Sequence, residues 1–475
     1  MFNLSNFNGL KNFRKFDHYY LYILLFGIAS SILLISNPGY YSHDELQKLD
    51  DILKYGYSSY FERYTELKAG PHFGYPVRPL SFFIQGIYSY FLEDYPLVVH
   101  LCDVFSHIFN ACVFYFLASR FKIQKKTAFI ASLIFLISPL TTLATGWSAA
   151  LMDRWYIFFG MLSLLGAYYF IDKKFWWGIV LVGFGSTCAI LSKETALVVP
   201  SFLIIFLLRD GIDTFRSYRV WAVGFVCMLP IVLYLTIRYP AIVASLANEN
   251  LNTYQPSLNN VYTNTLAYLA FPLVYGLKGL GGWVNYSYLI LYLSAICNLS
   301  IGLLVGRLYG YRYFFLYVAG YTILVVPVLF INSVSDHYLY GSALAMSLSI
   351  ACLLQNQNRS KFGLAVKSIG VFYLTLLTLH TFNIQRNVYN IGLCQSRINN
   401  SLVALYASSK KPSEVYFSVL PEARKNESTL IRYLFGRDRI GVWDGIKFVV
   451  LPSDNNPPEE NEYYTMTQTC HLESS

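Results

Sequence analysis

Two adjacent carboxylates, Asp44 and Glu45, follow the first apolar stretch of the chain within Tyr40-Tyr41-Ser42-His43-Asp44-Glu45. A carboxylate at a membrane surface can take the proton of a hydroxyl and make it a useful nucleophile. A neighbouring acid can raise its pKa or orient the incoming group. The plainer reading is a helix start, since Ser42 and Asp44 both suit an N-cap. The position of the pair, where the chain leaves an apolar run, favours chemistry.

Cations accompany the acids. Arg78 stands in Tyr75-Pro76-Val77-Arg78-Pro79-Leu80, where two prolines fix the backbone around one charge. Lys193 and Glu194 occupy a tight turn between two short apolar runs. Such a set suits a phosphate or pyrophosphate that departs as an anion. The competing reading for Lys193 is an ion pair with Glu194 or a side chain reaching for the headgroups. His100, Asp103, His107 and Asn110 form one polar stripe on an otherwise apolar run. His100, Asp103 and His107 share a helix face and could hold a metal, although a polar lining of the bundle interior is the stronger expectation. Asp336, His337 and Tyr338 open a late apolar run. Arg154 and Arg238 lie at the ends of others.

The elements that must position these groups are membrane spans. The 475 residues are 55% hydrophobic and 13% charged, with 41 Tyr and 36 Phe. Apolar runs of about twenty residues recur, long enough to cross a ~30 Å hydrocarbon layer as helices. The net charge of +9 falls in short clusters between those runs. That pattern reads as positive-inside topology and gives no reason to expect a nucleic-acid partner. Eleven spans are predicted, at about 19–35, 96–118, 128–146, 150–171, 176–192, 194–209, 219–239, 286–306, 313–331, 338–355 and 368–384. The N-terminus is placed in the cytoplasm and the tail outside. Loop 37–95 lies outside, with surface helices expected over 45–56 and 77–92. The stretch 262–282 is read as dipping into or lying on the membrane, because a span there would put Arg307 and Arg312 on the outer side. This topology brings Asp44, Glu45, Arg78, Arg154, Lys193, Glu194, Arg238, Asp336 and His337 to one face. Ionisable groups at the membrane edge are costly, so their convergence marks a site.

The fold class is thus an all-α polytopic membrane protein, residues 1–384, with a small α/β cap over 385–475. Strands are expected at Glu414–Leu420 and Ile446–Leu451, a helix at Ser428–Phe435, and a loose end after Pro457-Pro458. Six cysteines (Cys102, Cys112, Cys188, Cys227, Cys297 and Cys352) fall in apolar runs and are expected to be buried and inert. Cys394 and Cys470 lie in the tail and can pair in an oxidising compartment.

Six short motifs, in order, are HDE after the first span, PVRPLS, HLCDVFSHIFNA, SAALMDRWYIF, LSKETALVVP and DHYLYGSALAMSL. Together, over about residues 19–385, they resemble the GT-C superfamily of lipid-linked-sugar glycosyltransferases, near its protein O-mannosyltransferase and lipid A aminoarabinose-transferase branch. The resemblance implies an inverting transfer from a polyprenyl-phosphate sugar to a hydroxyl of a glycan, lipid or protein acceptor. Asp44 would be the base, assisted by Glu45. Arg78, Lys193, Arg154 and, more weakly, His337 would hold the lipid phosphate. His43, His100, Asp103, His107, Glu194, Asp336 and Tyr338 would line the substrate cavity. No cofactor is required by this reading, and a divalent metal stays open. Size and layout point to a bacterial inner-membrane enzyme that modifies a surface glycan or lipid, with a periplasmic site. The alternatives are a lipid-linked-oligosaccharide flippase or transporter, an O-antigen polymerase or ligase, and a non-catalytic scaffold.

Overall fold

A computed structural model describes residues 17–42, 44–45, 78–92, 95–121, 123–246, 257–274, 288–332, 334–355, 361–406, 414–420, 447–451 and 462–474, with a few single positions between them. Six helices among these are long and apolar enough to cross a membrane: Pro96–Arg120, Ser148–Ile171, Tyr218–Pro240, Tyr288–Tyr309, Tyr311–Val328 and Phe362–Leu402. Lys125–Leu136 and Pro139–Gly146, bent by 54° at their junction, make a seventh if they count as one span. Shorter apolar helices at His18–Ser30, Trp177–Ser192, Glu194–Phe206 and Ser342–Leu354 stand where further spans were expected. The expected positions are thus all helical, whereas six or seven spans meet the length and apolarity of a full crossing.

Proline places several starts. Pro79, Pro96 and Pro139 each open a helix, where the missing N–H would have been unpaired anyway. Ser138 caps the last of these by accepting the Leu140 N–H at 3.3 Å. The helix Asn259–Ala270 has 12 residues and runs into a turn at 271–274 that holds Pro272. At 1.5 Å per residue it falls well short of ~30 Å, and residues 275–282 of the stretch 262–282 lie outside the described residues. A helix, Pro79–Leu92, stands where a surface helix was expected over 77–92. Most of 45–56 lies outside the described residues, as do Glu93 and Asp94.

Contacts at the termini of the first helices fix their direction. Asp17, which caps His18–Ser30, accepts from Tyr115 Oη at 2.7 Å and pairs with Lys125 at 3.1 Å. At the opposite end, His100 Nε2 donates to the Gly39 carbonyl at 2.8 Å. The first helix and Pro96–Arg120 are therefore antiparallel. The chain leaving residue 36 stands beside His100 and Asp103, while Arg120 and Lys125 stand at the far end.

The helices Leu151–Ile171 and Trp177–Ser192 approach backbone to backbone. A Cβ at Gly166 would lie 2.7 Å from the Gly178 carbonyl oxygen, and one at Gly185 would lie 2.6 Å from the Ser163 nitrogen. Lipid is as apolar as a leucine side chain, so helices in a bilayer associate through such close packing.

The last helix, Lys361–Tyr406, is 46 residues long and runs through the expected boundary at 384/385, so the tail begins as an extension of the final span. Four strands follow: β1 (Glu414–Val419), β2 (Lys447–Val450), β3 (Glu462–Met466) and β4 (Leu472–Ser474), in the order β2-β1-β3-β4. β1 pairs in parallel with β2 and β3, and β3 pairs antiparallel with β4. Val415, Phe417 and Val419 alternate along β1 and are buried with Ile398 and Leu402 of the long helix. The expected loose end is corrected by β3 and β4. It is held by a disulfide between Cys394 and Cys470. The expected helix at Ser428–Phe435 lies mostly outside the described residues. Among the six free cysteines only Cys227 is buried, and Cys102 and Cys297 are exposed on apolar helix surfaces. A cysteine on a face turned to lipid satisfies the same apolar pattern as one in the core.

Gly185→Ala should lower stability by about 1–3 kcal/mol, because its methyl meets backbone that cannot yield. Gly224→Ala, whose Cβ would meet Leu203 Cδ1 at 3.6 Å, should be neutral or slightly stabilising. Thermal unfolding of the two variants in detergent checks the contrast.

Candidate active site

Asp44 and Glu45 are helical, and Ser42 precedes them as a cap. The Ser42 N–H donates to Glu45 Oε2 at 3.2 Å, and the Asp44 N–H approaches Ser42 Oγ at 3.5 Å. Ser42-x-x-Glu45 is a capping box in sequence, and its reciprocal Glu45 bond is present. Glu45 therefore has a structural task as well as any chemical one. Its Oε1 is buried without a hydrogen-bond partner. Burial first, and then the Asp44 charge, push its carboxyl well above the usual range. His43 lies outside the described residues.

Three ion pairs stand at this end of the bundle. Arg154 binds Asp103 and the Ala144 carbonyl, with both charged side chains 0% exposed. Ser148 Oγ also donates to Asp103. Lys193 Nζ lies 2.5 Å from Asp153, each side chain 1% exposed. Arg78 grips Glu194 with two nitrogens, Nε at 2.7 Å, and these side chains are 15% and 37% exposed. The competing expectation of a Lys193–Glu194 pair is corrected: neighbours in sequence take different partners. Lys193 is extended (φ −159°, ψ 138°) at the break after the helix Trp177–Ser192, and extended backbone sends successive side chains to opposite sides. Ser81 Oγ donates to the Ser192 carbonyl at 2.8 Å, which holds the Arg78 helix against that break.

Asp153 was not singled out in the sequence. The signal was a carboxylate one residue before Arg154 in an otherwise apolar helix. Consecutive helical residues point about 100° apart, so Arg154 meets Asp103 while Asp153 meets Lys193. Asp153 Oδ2 has no hydrogen-bond partner and stands 3.9 Å from His337 Nε2. His337 Nδ1 meets Ser335 Oγ at 2.6 Å. Burial, with Lys193 and Arg78 nearby, pushes the His337 pKa well down, so this ring is neutral. Trp147 was also missed. Its ring meets Tyr41 at 5.9 Å and His337 at 5.0 Å, and Lys193 Nζ lies 4.4 Å from the Tyr338 ring centre. His337 and Tyr338 themselves stack at 4.1 Å. A continuous aromatic path therefore joins the acidic loop to the buried lysine.

The polar stripe is divided among separate partners. His100 holds Gly39, Asp103 holds Arg154 and Ser148, and His107 Nδ1 meets Tyr340 Oη at 2.9 Å. Asn110 bridges Tyr340 Oη at 2.9 Å and the Arg154 carbonyl at 3.0 Å. The metal reading of His100, Asp103 and His107 is corrected accordingly: these side chains diverge, and no group of three or more His, Cys, Asp or Glu among the described residues could hold a metal ion. The stripe lines the bundle interior and ties helices together. Arg154 likewise serves Asp103. Asp336 is buried beside this group, and burial pushes its carboxyl up to about 7.

No protein-family model and no curated protein matches the chain. Its fold is similar to solved membrane-protein structures. ArnT from Cupriavidus metallidurans in the apo state aligns at a TM-score of 0.48 and 12% identity, over 95% of this chain and 94% of that one. The apo oligosaccharyltransferase of Archaeoglobus fulgidus aligns at 0.47 and 10% identity, over 94% of this chain. The S. cerevisiae protein O-mannosyltransferase Pmt1-Pmt2 complex bound to the sugar donor aligns at 0.33 and 14% identity, over 49% of this chain and 35% of that one. The chain spans 66% of the length of the archaeal protein.

Two outcomes are expected. Arg154→Met strands Asp103 as a buried charge and should cost about 3–5 kcal/mol, while Arg154→Met with Asp103→Leu should recover most of it. Unfolding midpoints of the single and double variants measure the coupling. For Asp336, a folded-state pKa above the unfolded value means that the folded protein holds the proton more tightly. Its contribution to stability is full below pH ~4 and is lost as pH rises to ~7. The fall in thermal midpoint across that window should flatten in Asp336→Asn; an unchanged slope would count against it.

Proposed function

We propose that the chain is a membrane-embedded inverting glycosyltransferase that moves a sugar from a polyprenyl-phosphate donor to an acceptor hydroxyl. The observation that carries this reading is the aromatic path Tyr41–Trp147–His337–Tyr338–Lys193. It runs from the loop that carries the acidic pair to Lys193. A base and an anion-holding group on one wall are the two things that displacement of a phosphate from a sugar carbon needs.

In this reading Asp44 takes the acceptor proton as the acceptor oxygen attacks the anomeric carbon. The bond from that carbon to the phosphate oxygen breaks on the opposite face, which inverts the configuration. The lipid phosphate leaves with the bonding electrons. Lys193 has three N–H donors and Arg78 five, so each can hold its carboxylate partner and still reach a phosphate oxygen. His337, neutral between Ser335 and Asp153, contributes a hydrogen bond rather than a charge. Glu45, accepting the Ser42 N–H, fixes the start of the helix that carries Asp44. Fixed donors of this kind, out of water, stabilise developing charge strongly.

The basic residues Arg120, Lys125, Lys173 and Arg219 lie away from the site, where Arg219 also bonds the Phe170 carbonyl at 2.6 Å. Under the positive-inside rule they belong to the cytoplasmic side, which favours the outer face for the site. The tail disulfide favours the same orientation, since disulfides persist in oxidising compartments. A bacterial inner membrane, with a surface glycan or lipid as acceptor, fits this arrangement.

Labelled-sugar transfer from a panel of polyprenyl-phosphate sugars, with wild type beside Asp44→Asn, tests the reading. Transfer from one donor should fall about 10³-fold in the variant, with membrane insertion and unfolding midpoint unchanged. Full activity in Asp44→Asn would sink it.

A further inference from the structure

We infer that Gln395, on the extension of the last helix into the tail, is a positioning residue that sets where the Asp44 carboxylate stands. The inference rests on the role proposed for Asp44.

The segment 37–40 links the first helix to the acidic pair, and its polar groups are held from two sides. Asn37 Oδ1 accepts the Gly39 N–H at 3.2 Å, and Asn37 Nδ2 donates to the Val388 carbonyl at 3.4 Å. His100 holds the Gly39 carbonyl at 2.8 Å. The Tyr40 N–H donates to Gln395 Oε1. Gln395 is itself buried, in a helix whose neighbouring inward positions are apolar. An amide buried there costs free energy unless it is hydrogen-bonded, and this bond supplies the partner.

The contact is tight as well as polar. A Cβ on Gly39 would run into the Gly392 carbonyl oxygen, and a Cβ on Gly392 would run into Asn37 Oδ1. Two glycines facing each other thus seat the loop directly on the helix. The Tyr40 side chain continues into the core of the tail, among Cys394, Ile398, Leu402, Val415 and Phe417. Asp44 follows four residues later.

The same helical turns are stitched to the last strands. Cys394 is bonded to Cys470, 76 residues on. Arg397 donates to the Thr469 carbonyl at 3.0 Å, and Ser401 Oγ accepts the Leu472 N–H at 3.3 Å. The tail thereby fixes the height and rotation of the helix at Gln395, and Gln395 passes that position to the acidic loop. A base displaced by about 1 Å loses roughly 10²-fold in rate, so a rigid hold on this loop is what general-base chemistry at Asp44 needs.

The test measures kcat and donor KM for Gln395→Ala, Gln395→Glu, the pair Cys394→Ser with Cys470→Ser, and Asp44→Asn in the full-length protein, with unfolding midpoints alongside. Gln395→Ala should lower kcat tenfold or more at an unchanged donor KM. Gln395→Glu keeps an acceptor oxygen for Tyr40 N–H and should restore most of kcat. The cysteine pair should lower kcat in the same sense. An unchanged kcat in Gln395→Ala overturns the inference, and so does an equal loss in Gln395→Glu, which keeps both the side-chain volume and the acceptor oxygen for the Tyr40 N–H. If Gln395→Ala fails to fold, the decision passes to Gln395→Glu and the cysteine pair: loss of kcat in the former, or none in the latter, overturns it. Activity in Asp44→Asn would instead refute the role of Asp44. Loss in Asp44→Asn with none in Gln395→Ala would refute the positioning role alone.

Discussion

A sealed ion pair, Asp103 with Arg154, is the constraint on which this end of the bundle depends. Neither side chain reaches solvent. A single charge at that depth would cost many kcal/mol, and the pair is tolerable because most of its polar atoms are bonded, with Arg154 Nε left without a partner. Asp103 takes Arg154 and the Ser148 hydroxyl, and Arg154 also takes the Ala144 carbonyl. These contacts tie Pro96–Arg120 to the bend at 136–150 and to the start of Leu151–Ile171. The next residue along, Asp153, then faces the opposite partner, Lys193. Exposure rises outward from there, through Lys193 with Asp153 to Arg78 with Glu194. The inner two pairs are sealed, and only Arg78 with Glu194 stands partly exposed.

Much of the helical plan could be read from the chain, because hydrocarbon thickness sets a length that composition must meet. The helix at Pro79–Leu92, the first two tail strands and the pairing of Cys394 with Cys470 were all legible. Span count was harder. His18–Ser30, with Ile32–Ile35 behind it, and the bent pair ending at Gly146 are broken helices. A hydropathy run reports apolarity but does not report a kink. Strands β3 and β4 escaped because a proline pair and an acidic run precede them. Their order comes from pairing with β1 and from the disulfide, both distant in sequence.

Within the site, residue types were legible and partners were not. The sequence shows that Lys193 and Glu194 are adjacent but not that the backbone there is extended and sends them apart. It shows His100, Asp103 and His107 on one helical face, yet a common face does not make a common ligand. Each of the three meets a different element, at Gly39, Arg154 and Tyr340. Trp147 and Asp153 were passed over because each sits in a run whose apolarity explains it sufficiently.

The breaks in the helices carry a further consequence. Ser148–Ala150, Glu194–Leu203, Ile323–Val328 and Asp336–Leu339 are all 3-10 rather than α-helical. The first, second and fourth carry or adjoin Trp147, Lys193, Glu194, Asp336 and His337. A 3-10 turn bonds less well than an α turn and rarely runs long. In hydrocarbon, irregular backbone survives only where protein or a water-filled cavity satisfies it. Ser81 supplies one such bond at the Ser192 carbonyl, and Asn264 supplies two at the Leu329 and Ile331 carbonyls, at 2.9 and 2.8 Å. A continuous α-helix would turn each of these side chains along its own axis and spread them over several faces. Ending the helices at one level instead lets residues from four segments converge, so the ten-residue 3-10 run after Lys193, with Pro200 inside it, is a cost in helix stability set against the gathering of charges that a single membrane edge would otherwise disperse.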